Sequence, residues 1–245
     1  MIVVAGMHRS GTSLVAQLLD SLGISVGDKN AFYAADEWNP RGYFERNDVV
    51  DLNSRLITGH SRTGTSMQQA LSKLLYLRMP SRARIERLAE RYTSEIDAVG
   101  ATCGGIAVKD PRFCVTASAW AQRVPIDAYV VGLRDPAEAV LSLWRRQRIP
   151  QWLGFRFWNY HVRCLLEQFP PDRTVYVHYN ELVSGDRDAE LQRVVDFFSL
   201  DLDAAVARER FATVFSDKLY RNRPQPRALP ATTQSLWEEV LERRA

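Results

Sequence analysis

The chain begins with a strand, a glycine-bounded loop and a helix in immediate succession, and this arrangement limits what the rest can fold into. Met1-Ile2-Val3-Val4-Ala5 is a short apolar, β-branched run, the pattern of a strand buried on both faces of a parallel sheet. Gly6-Met7-His8-Arg9-Ser10-Gly11-Thr12-Ser13 follows. Leu14 to Leu22 then carries helical spacing and stops at Gly23, a residue suited to the position after a helix C-cap. Two glycines let the loop backbone bend around an anion. The N–H groups at the start of the helix point at such an anion, aided by the positive end of the helix dipole. The bland alternative is a glycine turn without a ligand, and the flanking strand and helix favour binding over it.

The glycine spacing is that of a Walker A loop, G-x-x-x-x-G-K-[ST], with one departure: Thr12 stands where the lysine belongs, and Ser13 keeps the hydroxyl position. The Walker lysine reaches the β- and γ-phosphates and the hydroxyl holds Mg²⁺. With Thr12 in its place a triphosphate loses its main cation, while Arg9 supplies positive charge from within the loop. A nucleotide with a shorter anionic end fits these residues better.

A length of 245 residues suits one large α/β domain or two small ones. The net charge of +3 does not call for nucleic acid as a partner, and it suits an anionic cofactor. No apolar run is long enough to span a bilayer, and the opening residues read as a strand without a charged n-region or cleavage site, so neither a transmembrane segment nor a signal peptide is expected. Cys103, Cys114 and Cys164 are odd in number and irregularly spaced, which supports neither a disulfide framework nor a zinc site. A reducing, cytoplasmic setting is the simplest expectation.

Residues 24 to 45 read as a loop, broken by Gly and Pro but carrying Trp38, Tyr43 and Phe44. A helix is expected from Asn47 or Asp48, with Val49, Leu52, Leu56 and Ile57 on its apolar face. Glu45 just ahead of it is either an acidic residue favouring a helix N-terminus or a general base. Residues 60 to 79 give no clear pattern, with His60 at a helix end, and one amphipathic helix is expected from Ser81 to Val99. Further strands are expected at Ile106–Val108, Ala128–Leu133 and Thr174–Val177. The first leads into Lys109-Asp110-Pro111-Arg112; lysine at the carboxyl end of a parallel strand faces the crevice where α/β folds bind ligands, the alternative being a surface ion pair. The second leads into Arg134-Asp135-Pro136, with Pro136 opening a helix and Ser142 about two turns along from Arg134. Arg134 and Ser142 can converge on one phosphate. The third reaches His178-Tyr179-Asn180-Glu181-Leu182. Trp152, Phe155, Asn159, Val162 and Leu166 approximate a helical core stripe, with Arg145, Arg146, Arg148, Arg156 and Arg163 as a solvated face, though contact with an anionic acceptor or membrane headgroups stays open. A helix is expected over 189–198, an irregular basic loop over 217–229 and a last helix near 233–243.

Taken in order, residues 6–13, 109–112, 134–142 and 179–182 resemble the motifs of sulfotransferases that use 3′-phosphoadenosine 5′-phosphosulfate (PAPS), in their bacterial form. The resemblance implies one sulfotransferase domain over 1–245, a three-layer α/β/α fold with a central parallel, P-loop-like sheet. It implies PAPS as donor, 3′-phosphoadenosine 5′-phosphate (PAP) as product, and no metal. Arg9, Ser10, Gly11, Thr12 and Ser13 would bind the 5′ end, Arg134 and Ser142 the 3′-phosphate, and Tyr179 would lie near the adenine. Arg221 and Arg223 are candidates for a loop closing over the 3′-phosphate. Lys109, with Arg9, would neutralise charge on the transferring group. The K-x-H motif of the cytosolic enzymes is broken, since Lys109-Asp110-Pro111 lacks the histidine. N-P-R-G-Y-F-E resembles a bacterial segment whose glutamate is the base; Glu45 matches it, Asp110 stands in reserve, and Asn39 and Arg41 would line the acceptor side. The acceptor would be a hydroxyl or amine of a carbohydrate, glycolipid or small molecule. The alternatives are a P-loop kinase or NTPase using ATP and Mg²⁺, and a non-catalytic nucleotide-binding module.

Overall fold

The computed structural model describes residues 1–35, 39, 41–62, 65–215 and 228–244. Four strands, β1 (Ile2–Ala5), β2 (Ala107–Lys109), β3 (Ala128–Leu133) and β4 (Thr174–His178), form one parallel sheet in the order β2-β1-β3-β4. Residues alternate between its faces. Val3, Ala5, Val131 and Tyr176 enter one apolar cluster, while Val4, Val130, Val175 and Val177 enter the other.

The second cluster is covered by α1 (Thr12–Ser21), α9 (Tyr179–Ser184), α10 (Arg187–Phe197) and α11 (Ala204–Val214). The first is covered by α2 (Asn47–Thr58), α4 (Arg82–Ala89), α5 (Thr93–Ala101), α6 (Phe113–Ala121), α7 (Pro136–Gln147), α8 (Gln151–Gln168) and α12 (Ala231–Arg244). Helices on both faces of a parallel sheet make the expected three-layer α/β/α architecture. Parallel pairing also places every strand's carboxyl end along one edge, where β1 turns into the glycine loop and β2 stops at Lys109.

Several expectations need correction. The single helix over 81–99 is two helices: the Arg91 and Tyr92 N–H groups bond three residues back, to Leu88 and Ala89, and close α4 in a tight turn. Ile85 and Ile96 both stay buried across that break. The stretch 60–79 contains α3 (Ser66–Leu77), begun by a capping box in which the Thr65 hydroxyl accepts from the Gln68 N–H and the Gln68 side chain accepts from the Thr65 N–H. The loop over 24–45 holds a 3₁₀ turn, Lys29–Ala31, and a bridge between Phe32 and Arg46. On α8 the buried stripe is Gly154, Phe157, Trp158, His161, Val162, Leu165 and Leu166. Trp152 is not core; it is 62% exposed, because it lies on the opposite side of the first turn from Gly154 and Phe157.

Candidate active site

A cavity of about 950 Å³ opens over the carboxyl edge of the sheet. It is lined by residues of the glycine loop, Lys109, Arg134, Ser142 and Tyr179, joined by Tyr43 and Glu45 and by side chains of α2, α3, α7 and α8. Ligand crevices of α/β sheets sit at this edge.

The loop geometry requires its glycines. Gly6 has φ 145°, and a Cβ there would lie 2.4 Å from the carbonyl oxygen of Gly132 on β3. Gly11, the N-cap of α1, has φ 83°, and a Cβ there would sit 2.3 Å from Cδ2 of Tyr179. Thr12 is buried, its methyl turned toward Gly6 and Gly132. The residue in the Walker lysine's place therefore packs the loop onto β3. Arg9 holds φ 74°, a backbone state rare outside glycine, which persists where surrounding contacts fix it. The contacts are visible: Arg9 Nε donates to Ser142 Oγ at 3.0 Å, and Arg134 Nη1 donates to the Arg9 carbonyl at 3.3 Å.

Around Arg9 lies a cation cluster. Burial lowers its pKa to about 10, and the neighbouring guanidiniums of Arg146 and Arg134 push in the same direction. Arg134 Nε donates to Glu138 Oε2 at 2.9 Å, and its guanidinium stacks 4.5 Å above the Tyr179 ring. Glu138 in turn accepts from Asn180 Nδ2 at 2.9 Å, and Asn180 Oδ1 accepts from the Asp135 N–H at 3.2 Å. Asp135 caps α7 by accepting from the Glu138 N–H, and Pro136 occupies the first turn as expected. The 134–142 segment is thus a capped strand-to-helix turn that fixes one arginine by a buried carboxylate. Burial raises the Glu138 pKa, with Arg134 and Asn180 opposing.

A second charged group lies at the end of β2. Lys109 Nζ donates to Glu45 Oε1 at 2.5 Å and to the Tyr43 carbonyl at 3.1 Å, with Ser13 Oγ at 3.4 Å. Asn39 Nδ2 donates to the same Ser13 hydroxyl at 3.2 Å. Arg112 Nη1 sits 4.0 Å from Glu45 Oε2. Burial would raise the Glu45 pKa, but Lys109 and Arg112 outweigh it and hold the carboxyl below its ordinary value. Asp110, with no exposed surface, is committed elsewhere. It accepts from Asn53 Nδ2 at 3.0 Å, from the Arg112 N–H at 2.9 Å and from Arg112 Nη1 at 2.8 Å. Asn53 is itself held by Thr116 and Trp120, so this carboxylate ties α2 to α6.

Of the residues expected in the site, Arg9, Gly11, Thr12, Ser13, Asn39, Glu45, Lys109, Arg134, Ser142 and Tyr179 line the cavity. Ser10 is buried in the loop, its N–H bonded to the Met7 carbonyl at 3.0 Å. The Arg9 side chain joins Ser142 and Arg134, not the Lys109–Glu45 pair. Arg41 is exposed and donates to the carbonyls of Thr213 and Val214 at the end of α11, where Val214 itself lines the cavity. Arg221 and Arg223 lie outside the described residues.

Other lining residues had no assigned role. Arg112 is buried against Asp110. Arg62 lies 5.1 Å over the Tyr33 ring, and Arg146 lies 5.3 Å over the Tyr43 ring and donates to its hydroxyl. Arg146 was expected on a solvated face; it borders the cavity because α7 passes beside the Tyr43 loop. His8 and Tyr76 also line it. Among the described residues, eight lysine and arginine side chains and one carboxylate, Glu45, line the cavity. Among the described residues no group of three or more His, Cys, Asp or Glu side chains is placed to hold a metal ion, and no helix is long and apolar enough to cross a membrane.

A cavity so rich in arginine and lysine suits an anionic ligand. The model of the sulfotransferase family matches residues 2–204, and the chain belongs to that family. Solved structures agree in fold. The sulfotransferase domain of the Synechococcus PCC 7002 olefin synthase is 17% identical, with a TM-score of 0.54 over 98% of this chain and 94% of that one. The sulfotransferase domain from the curacin biosynthetic pathway is 13% identical, with a TM-score of 0.51 over 98% and 97%. Sulfotransferase STF9 from Mycobacterium avium is 17% identical, with a TM-score of 0.50 over 99% and 76%. No curated protein matches the chain.

Proposed function

We propose that this chain is a single-domain, PAPS-dependent sulfotransferase acting on a hydroxyl or amine of a carbohydrate, glycolipid or small molecule. The observation that carries the reading is the charge of the cavity, among the described residues eight cationic side chains against one carboxylate that is already paired. A Mg²⁺-dependent phosphotransfer site needs free oxygen ligands for its metal. Here protein cations stand ready to meet the anion directly.

The donor would supply an activated sulfuryl group whose sulfur–oxygen bond to the 5′-phosphate breaks as the bond to the acceptor oxygen or nitrogen forms, the electron pair staying on the phosphate. The remaining work falls to this chain. The loop N–H groups at the start of α1 hold the 5′ anion, and Ser13 adds a hydroxyl. Arg134, Ser142 and, by its placement beside them, Arg9 hold the 3′-phosphate through charge-assisted bonds. Tyr179 offers a ring face for the base. Lys109, three residues before Arg112, meets charge growing on the sulfuryl oxygens.

Glu45 is the proposed base and takes the acceptor's proton. In the ligand-free pair it is a weak base, because Lys109 and Arg112 stabilise its ionised form. Attraction of Lys109 toward the anionic donor loosens that pair and raises the basicity of Glu45 as the acceptor arrives. Asn39, bonded to Ser13, lies on the acceptor side.

The test is a thermal shift with PAP beside ATP plus Mg²⁺, each with and without EDTA. A ligand at about 100 times its dissociation constant stabilises the fold by roughly 2.7 kcal/mol. An EDTA-insensitive shift with PAP is expected. A shift only with ATP and Mg²⁺ would replace this reading with a kinase-like one.

A further inference from the structure

The charges of the cavity fall into two groups. Arg9, Arg134 and Arg146 act on one another at the glycine loop, beside Tyr179. The second group stands at the end of β2, where Lys109 is paired with Glu45 and Arg112 with Asp110. Arg62, from the connection between α2 and α3, belongs to this second group, with Arg112, Glu45 and Asp110 as its charged neighbours. Among the described residues it brings a third cation against two carboxylates that are already paired.

A run of contacts ties Arg62 to the site of transfer. Its guanidinium lies 5.1 Å over the Tyr33 ring, and the Tyr33 N–H donates to the Glu45 carbonyl at 2.7 Å. The same ring meets Tyr43 edge-on, with centroids 5.7 Å apart, and the Tyr43 carbonyl accepts from Lys109. The Arg62 main chain is fixed as well, since its N–H donates to Asp51 Oδ1 at 3.1 Å. Asp51 pairs with Arg55 through Oδ2, also at 3.1 Å. It therefore anchors the backbone of Arg62, while among the described residues no carboxylate forms an ion pair with the guanidinium. Burial and Arg112 both act against the charge of Arg62 and lower its pKa, with Glu45 and Asp110 opposing. A half-buried cation so placed costs free energy until an anion reaches it.

We propose that Arg62 binds a monoanionic group on the acceptor, a carboxylate or a sulfate ester, and so selects acidic hydroxy compounds over neutral ones. The inference rests on the sulfotransferase reading and narrows its acceptor. The donor, in that reading, is met by the loop, Arg9, Arg134, Ser142 and Lys109, which leaves Arg62 for the other substrate. Ile57 and Thr58 of α2 and Ser72 and Tyr76 of α3, the helices that Arg62 joins, line the same cavity and give that substrate a wall. One surplus cation balances one negative charge, and the guanidinium fork matches two oxygens of such a group. Lys73 on α3 also lines the cavity, but it is exposed, where water and salt screen its charge. No bond at the anion is made or broken; the hydroxyl elsewhere on the same molecule gives its one proton to Glu45.

The test is calorimetric binding to the PAP-saturated protein. The probes are para-hydroxybenzoate, para-hydroxyphenylacetate, para-hydroxyphenylpropionate and hydroquinone monosulfate, beside the amides of the acids and hydroquinone itself. The series varies the reach from hydroxyl to anion, and its acids and its sulfate separate the two sources of charge. At least one anion should bind roughly tenfold or more tightly than its neutral partner, and Arg62→Gln should erase that difference while changing PAP affinity less than about twofold. Arg62→Lys keeps the charge without the fork and should retain part of the preference. With PAPS, the preferred anion should be sulfated, and Arg62→Gln should raise its KM while leaving that of the neutral partner unchanged. Equal binding of anionic and neutral partners, no binding by any probe, or a preference that survives in Arg62→Gln would overturn the inference while PAP still binds. Equal losses of turnover with anionic and neutral acceptors in Arg62→Gln would also overturn it, assigning Arg62 to the sulfuryl group. Absence of PAP binding by the parent would instead overturn the sulfotransferase reading beneath it.

Discussion

Removing one member of the Glu45–Lys109 pair should cost far more stability than removing both. The two side chains are 9% and 3% exposed and their charged atoms are 2.5 Å apart. At an effective dielectric of about 20, opposite charges some 4 Å apart attract by roughly 4 kcal/mol, and breaking a buried pair costs about 3–5 kcal/mol because one charge is left uncompensated. The neighbours decide where in that range each variant falls. In Lys109→Met, Arg112 still lies 4.0 Å from Glu45, so about 3 kcal/mol is expected. In Glu45→Gln, Lys109 keeps the Tyr43 carbonyl and the Ser13 hydroxyl but loses the carboxylate it is paired with and faces Arg112, so the cost moves toward about 5 kcal/mol. Glu45→Gln/Lys109→Met leaves no stranded charge and should lie within about 2 kcal/mol of the parent. Urea unfolding at pH 7.5 measures all four corners. For a chain of this size each kcal/mol moves Tm by about 2–4 °C, so thermal melts resolve the same pattern. Single-variant losses that add to the double-variant loss within about 0.5 kcal/mol would mean the pair is not coupled, and the electrostatic account of the β2 end would fall.

Arg134→Ala removes a charge-assisted contact worth about 1.5–3 kcal/mol, so PAP affinity, measured calorimetrically, should weaken by roughly tenfold to beyond a hundredfold, and unchanged affinity would sink the assignment. Gly11→Ala forces a Cβ into the Tyr179 ring at a φ of 83°, and should lower both Tm and PAP affinity; a variant as stable as the parent would contradict the loop geometry. His161 is held neutral down to about pH 4 by burial, against an ordinary value near 6.5. The unfolded chain binds that proton first as pH falls, so stability drops below pH 6.5, by roughly 2 kcal/mol between pH 7 and 5 from this imidazole alone. His161→Gln should flatten the stability–pH curve by about that amount in urea titrations at the two pH values. Glu45 has the opposite chemistry and the same sign: its lowered pKa gives stability that is present above the ordinary carboxylate range and lost as pH falls through the folded value.

What could be read of the fold from the sequence depended on how uniformly an element is buried. The strands at Ile2–Ala5 and Ala128–Leu133 are short apolar runs bounded by glycine, arginine or aspartate, so they stood out. Helix α6 escaped because Phe113 to Ala121 is buried on nearly every side and so shows no 3.6-residue period. Helix α3 escaped for the opposite reason. Met67, Leu71 and Leu74 are exposed, so its apolar residues do not mark an inner face. Its start was nevertheless written in Thr65 and Gln68, a capping-box spacing that a search for caps would have found. The helix break at Tyr92 was hidden because Ile85, Leu88, Tyr92 and Ile96 keep helical spacing straight through it.

The site divides along the same line between what a strand carries and what packing brings together. Lys109, Arg134 and Tyr179 each stand at or just after the carboxyl end of a strand, and parallel pairing sends all three to one edge. Their convergence follows from the sheet alone, without knowledge of any helix. Arg112, Arg146, Tyr76 and His161 sit on or beside helices whose angles are set by the core, and no spacing in the chain announces that Tyr76 will meet a loop residue 68 positions earlier. Asn39 and Arg41 make the point at the shortest range. They are two residues apart, yet Asn39 bonds Ser13 while Arg41 bonds the last carbonyls of α11. A loop fixes direction residue by residue, whereas a strand end fixes it for the whole edge. The residues proposed to anchor the donor were therefore legible in the chain. The contacts that join His8 to Tyr76 and His161 become visible only once α3 and α8 have packed beside the loop.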